Sequence, residues 1–198
     1  MKKTAFVLAL LAGVVLAIPA QAQEPGKSYF GLSYGANWTD GANQTAGTSN
    51  DGVAGGVRLY GGSMWSNWGM EFGYSDLGTY DIDLAGAPYA RLKTQAVTLA
   101  AVYAAPLAAG YNLSAKLGIA FTRATNECVQ CGVGSPLNVD TRKSGLSGVY
   151  GLGLEAKLAS DIAMRVEVEH MGSVHHDIGG FEYNAAYDSL SVGIQFLF

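Results

Sequence analysis

Asp188-Ser189-Leu190-Ser191-Val192-Gly193-Ile194-Gln195-Phe196-Leu197-Phe198 is the stretch that decides the fold. Leu190, Val192, Ile194, Phe196 and Phe198 fall on one parity, and Ser191, Gly193 and Gln195 on the other. A period of two sends these sets to opposite faces of a β-strand, one apolar and one small or polar.

Working outward, the same alternation occupies Tyr29–Trp38, Val53–Tyr60, Trp68–Leu77, Gln95–Ala105, Tyr111–Phe121, Gly145–Leu158 and Ile162–His170. Eight strands are therefore predicted. The segments between them alternate in length. Gly61–Asn67, Pro106–Gly110 and Ala159–Asp161 are short, whereas 39–52, 78–94, 122–144 and 171–187 are long and polar. Short turns at one end and long loops at the other describe an all-β, eight-stranded antiparallel up-and-down barrel that crosses a membrane.

The bulk composition agrees. The chain has 198 residues, 49% hydrophobic and only 14% charged, with 27 glycines, which excludes an intrinsically disordered protein and suits one domain. Residues 1–22 read as a secretory signal peptide: Lys2 and Lys3, an apolar run from Ala5 to Ile18, then Ala20-Gln21-Ala22. That run is shorter than the ~20 residues a membrane-spanning helix needs. The barrel domain is expected over 23–198. Without Lys2 and Lys3, ten cations face 16 acids, a formal charge of −6, so nucleic acid is not an expected partner.

Which face meets lipid follows from the charges. Arg58, Glu71, Lys116, Glu155, Arg165, Glu167 and Glu169 all lie on the polar parity. A soluble barrel would point them at water and its apolar set at an internal ligand. The apolar set instead carries Trp38, Trp68, Tyr103, Phe121 and Phe196 near strand ends with aliphatic residues between, the pattern of a lipid belt with interfacial aromatic girdles. The seven charges are thus expected inside, as a lumen charge network of three cations and four anions, with Gly31, Ser33, Gly35, Gly73, Gly151 and Gly153 making room.

The runs Trp68-Gly69-Met70-Glu71-Phe72-Gly73-Tyr74-Ser75-Asp76-Leu77-Gly78, Tyr150-Gly151-Leu152-Gly153-Leu154-Glu155, Arg165-Val166-Glu167-Val168-Glu169 and Leu190 to Phe198 resemble the OmpA-like transmembrane barrel family of Gram-negative outer membranes. The resemblance spans the chain after residue 22 and implies an outer-membrane location. It also implies that Val192, Ile194, Phe196 and Phe198 form the terminal signal read by the barrel assembly machinery. The sequence stops at the last strand, so a barrel-only member without the peptidoglycan-binding domain is expected.

Three motifs are candidates for chemistry. Gly31-Leu32-Ser33-Tyr34-Gly35 matches the serine-hydrolase G-x-S-x-G, but it lies inside an alternating strand where that chemistry needs a strand-to-helix turn. His170-Met171-Gly172-Ser173-Val174-His175-His176 sets histidine and serine close together, as in lipid A deacylases built on eight-stranded barrels, although such enzymes place the serine two residues after the histidine and position 172 is glycine. Cys128-Val129-Gln130-Cys131 has three open readings: a small loop disulfide, free thiols, or, with His175 and His176, a metal site. No cofactor, catalytic residue or resident metal is expected.

The functional expectation is a non-enzymatic surface barrel whose loops serve adhesion, host interaction or envelope integrity. Its expected partners are outer-membrane lipids and lipopolysaccharide, with a host or environmental ligand at the loops. The alternatives are a narrow pore for small solutes and a lipid A-modifying hydrolase.

Overall fold

The computed structural model describes residues 27–39, 48–50, 52–84, 87–128, 141–178 and 181–198. Residues 1–22, read from the sequence as a signal peptide, and Cys131 lie outside them, as do the side chains of Cys128, His175 and His176, and with these the disulfide and metal readings.

The eight long strands are β1 (Ser28–Thr39), β2 (Val53–Trp65), β3 (Trp68–Leu84), β4 (Ala87–Ala108), β5 (Tyr111–Cys128), β6 (Thr141–Lys157), β7 (Ile162–Ile178) and β8 (Phe181–Leu197). A three-residue strand, Thr48–Asn50, pairs with the last residues of β3. Each strand pairs antiparallel with its sequence neighbours, and β1 pairs with β8 to close the ring. Ser28 and Phe198 exchange both backbone bonds at 2.9 Å, locking the seam at its very end. Closure is what a bilayer demands, since each unpaired backbone group in hydrocarbon costs several kcal/mol.

The termini and the short turns share one end, called the near end here. Gly61–Trp65, read as turn from the sequence, continues β2, and the turn shrinks to Ser66 and Asn67. Ser66 sits in the left-handed region at φ 63°, as a tight reversal requires.

At the far end the long polar segments prove to be mostly strand. β3 runs to Leu84 and β4 restarts at Ala87, while β7 reaches Ile178 and β8 restarts at Phe181. β4 has 22 residues, about twice the ~9–11 that cross a bilayer. The alternation is hidden there by β-bulges, which shift the register between Asp76 and Thr79 and between Met171 and Val174. The first bulge contains Gly78 at φ +88°, whose N–H is held by Asp76 Oδ1 at 3.0 Å.

The apolar parity faces outward. Leu117 is 69% exposed, and Leu32, Leu59, Phe72, Ile119, Val168, Val192 and Ile194 are exposed beside it. Trp65 and Trp68 stand at the near end of this belt, with Trp68 against the Tyr103 ring at 4.8 Å between centroids. Exposed apolar surface of this extent in an otherwise closed fold is a lipid-facing band.

Candidate functional site

The interior is filled in three levels. At the near end Tyr29, Tyr60, Met64, Val102 and Ala104 form an apolar cluster, with the two tyrosine rings edge to face at 6.3 Å. The sequence pattern places Tyr29 and Tyr60 on the polar face but gives no sign that they pack together. A Cβ on Gly31 would overlap the Tyr60 ring, so glycine at that position makes space for an aromatic rather than for a charged side chain.

The middle level holds all seven charged residues, drawn from β2, β3, β5, β6 and β7, and each is at most 8% exposed. Two pairs come from neighbouring strands. Arg58 Nη2 donates to Glu71 Oε1 at 2.8 Å, and Arg165 donates from Nε and Nη2 to Glu155 Oε1 at 3.0 and 2.6 Å. The remaining contacts cross the lumen. Arg165 Nη1 reaches Glu71 Oε2 at 2.5 Å, Arg58 Nη1 reaches Glu167 Oε1 at 2.9 Å and also Glu169, and Lys116 Nζ bridges Glu167 at 2.5 Å and Glu169. Every one of the seven is joined to the others through shared partners. Parity and strand pairing announce the neighbouring pairs; the cross-lumen contacts depend on barrel diameter and side-chain reach, which no local pattern encodes.

Neutral groups complete this level. Tyr29 donates its hydroxyl to Glu71 Oε2 at 2.9 Å, and the Arg165 guanidinium lies 4.8 Å from the Tyr60 ring centroid and 5.2 Å from that of Tyr29. A Cβ on Gly73 would come within 3.2 Å of the Arg58 guanidinium, and one on Gly151 within 2.9 Å of Lys116 Cε. These two glycines therefore hold open the room that the long cations occupy.

The far level is apolar again. Leu77, Tyr80, Leu92, Val149, Met171, Val174 and Tyr187 pack with five alanines, and Tyr187 shares a hydrogen bond with Thr94 Oγ1 at 2.9 Å. Its residues sit mainly in segments that read as polar loops, which is why the sequence hides it. Between the middle and far levels lies a cavity of about 20 Å3 bordered by Ser33, Asn37, Arg58, Ser75, Glu169 and Ser191. That is room for about one water molecule.

Among the described side chains, no hydrogen bond joins a serine hydroxyl of the hydrolase motifs to a histidine. Ser33 is 5% exposed in mid-β1, paired with Arg58 and Gly193 across the sheet. His170 points to the outer face, where its Nδ1 meets Asp188 Oδ1 at 2.6 Å and its ring lies 4.8 Å from that of Tyr150. Ser173 sits across the bulge, its backbone carbonyl accepting from the Ser147 hydroxyl at 2.9 Å. The terminal set Val192, Ile194, Phe196 and Phe198 is exposed on the near half of β8 and just beyond its end.

A closed antiparallel barrel with an outward apolar belt and a packed, partly charged interior defines an eight-stranded outer-membrane barrel. The chain belongs to the OmpA-like transmembrane domain family, whose profile matches residues 23–198. Solved structures agree on the fold. OprG of Pseudomonas aeruginosa is similar with a TM-score of 0.68 at 14% identity, over 91% of this chain and 99% of that one. Neisserial surface protein A gives 0.59 at 13%, over 87% and 99%. Ail of Yersinia pestis, in complex with the heparin analogue sucrose octasulfate, gives 0.57 at 15%, over 88% and 99%. No curated protein matches the sequence.

Proposed function

We propose that the chain is an exported, non-enzymatic surface barrel with a sealed lumen, which acts through its far-end hairpins in adhesion, host interaction or envelope integrity. In this reading residues 1–22 direct export and are cleaved, the C-terminal alternation engages the barrel assembly machinery, and both mature termini lie in the periplasm. The far end then faces outward.

One observation carries the reading: the lumen is packed at three successive levels. A hydrated ion would have to shed its water in the Tyr29–Tyr60 cluster, break a connected network of seven charges and shed water again at Tyr80 and Tyr187. What remains for interaction is the outer sheet that strands of 17 to 22 residues build beyond the belt.

The test compares cells displaying the full barrel with cells displaying barrels whose β3–β4 and β7–β8 hairpins are shortened at the far end. Attachment to host cells or matrix, or resistance to detergent, is expected to fall in the shortened forms while heat-modifiable migration persists. Unchanged attachment and unchanged detergent resistance would contradict a role for these hairpins.

A further inference from the structure

We propose that the outward face of β4, β5 and β6, just beyond the lipid belt, is a site for the phosphate groups of an acylated, phosphorylated outer-leaflet lipid. The proposal rests on the outer-membrane placement given above, and it adds a specific ligand site to it.

The belt ends abruptly on these three strands. Val97, Phe121 and Leu146 are exposed apolar side chains on the outward parity. Two residues farther along the same face come Gln95, Arg123 and Ser144, and two farther still Lys93, Thr125 and Arg142. No bulge interrupts the register here, so all six side chains share the face of the belt. At the usual strand tilt two residues rise about 5 Å, which sets Arg123 within one side-chain length of the hydrocarbon edge.

Register makes these cations one cluster. Thr125 stands between Lys93 on one side and Arg142 on the other, and Arg123 is the diagonal neighbour of both, about 7–8 Å away. Two arginines at that spacing, with a threonine hydroxyl between them, suit a phosphate bound through several N–H donors.

Charge pairing separates this cluster from an ordinary solvated face. Arg91 pairs with Asp81 at 3.0 Å and Lys93 with Asp76 at 3.3 Å, and Glu127 lies opposite Arg91 in the ladder. Arg123 and Arg142, both exposed, form no ion pair among the described residues. Among the described residues, Arg123 in the row nearest the belt and Arg142, level with the paired Lys93 in the next row, are thus left for an anion at the depth of lipid headgroups. A soluble anion would not need the apolar border of Val97, Phe121 and Leu146; an acylated one uses both.

The experiment uses the full mature barrel in detergent micelles, with native mass spectrometry counting bound bis-phosphorylated lipid A. Three ligands are compared: lipid A, lipid A stripped of its phosphates, and inorganic phosphate. Lipid A is expected to bind about tenfold or more tightly than its stripped form, the scale of one lost charge-assisted contact. Inorganic phosphate at equal concentration is expected not to displace it. The double variant Arg123→Gln/Arg142→Gln should lose a similar factor, Arg123→Lys/Arg142→Lys should keep part of the binding, and Lys157→Gln at the near end should keep all of it. Equal binding of intact and stripped lipid A by the native barrel would overturn the proposal whether or not the variants fold. Displacement by inorganic phosphate would overturn the lipid as ligand. Neither result bears on the sealed lumen, which conductance reads separately.

Discussion

Glu71 is the residue on which the interior turns. It accepts from Tyr29, Arg58 and Arg165, and Lys116 Nζ stands 3.8 Å from Oε1. Glu71→Gln removes the charge that two guanidinium groups share, and leaving buried charge uncompensated costs about 3–5 kcal/mol. Arg58→Met alone strands Glu167 and Glu169 in the same way, although Lys116 still reaches both. The two losses are expected to be clearly less than additive in a urea-unfolding cycle, because residues in one network share their partners. Additive losses would mean that Glu71 and Arg58 do not belong to one network. The seven charges themselves are legible in the sequence, since each keeps the polar parity of its strand. Tyr29 and Tyr60 keep it too, yet their rings close an apolar level that parity alone does not announce.

At the scale of the strand, the outward parity changes meaning at the belt edge. Leu117→Arg places a charge in the lipid-facing band and is expected to cost about 2–4 kcal/mol in vesicle-refolding equilibria, the range for a basic residue at mid-membrane. Thr79→Arg, on an exposed position beyond the β3 bulge, should cost no more than about 1 kcal/mol. Equal costs would place the edge of the belt elsewhere. This edge also marks where the sequence stops being readable. Inside the membrane a strand faces lipid on one side and a packed lumen on the other, so polarity alternates cleanly in segments such as Ile162–His170. Beyond it the outward face meets water and the inward face is the apolar level of Leu77, Tyr80, Met171 and Tyr187. Bulges at Asp76–Thr79 and Met171–Val174 then reverse the parity, and the segments read as loops although they are paired sheet. The short turn expected over Gly61–Asn67 proves shorter still for a related reason: Gly61, Gly62 and Ser63 carry no apolar alternation, but β1 pairs with the segment as far as Ser63.

For the whole molecule the decisive property is that the barrel is closed along its length as well as around its circumference. Backbone pairing closes the ring through β1 and β8, and side chains close the bore through two apolar levels with a charged level between them. The middle level is stable only because its charges compensate one another, and the apolar levels keep water away from it, which strengthens each pair. On the function proposed above, the outer sheet and the belt are the working surfaces rather than the axis. Planar-bilayer recording of the purified mature barrel measures this most directly. No resolved single-channel openings are expected in molar potassium chloride across moderate voltages, with refolding verified by heat-modifiable migration in the same preparation. Reproducible openings of uniform size from the folded barrel would contradict the sealed lumen.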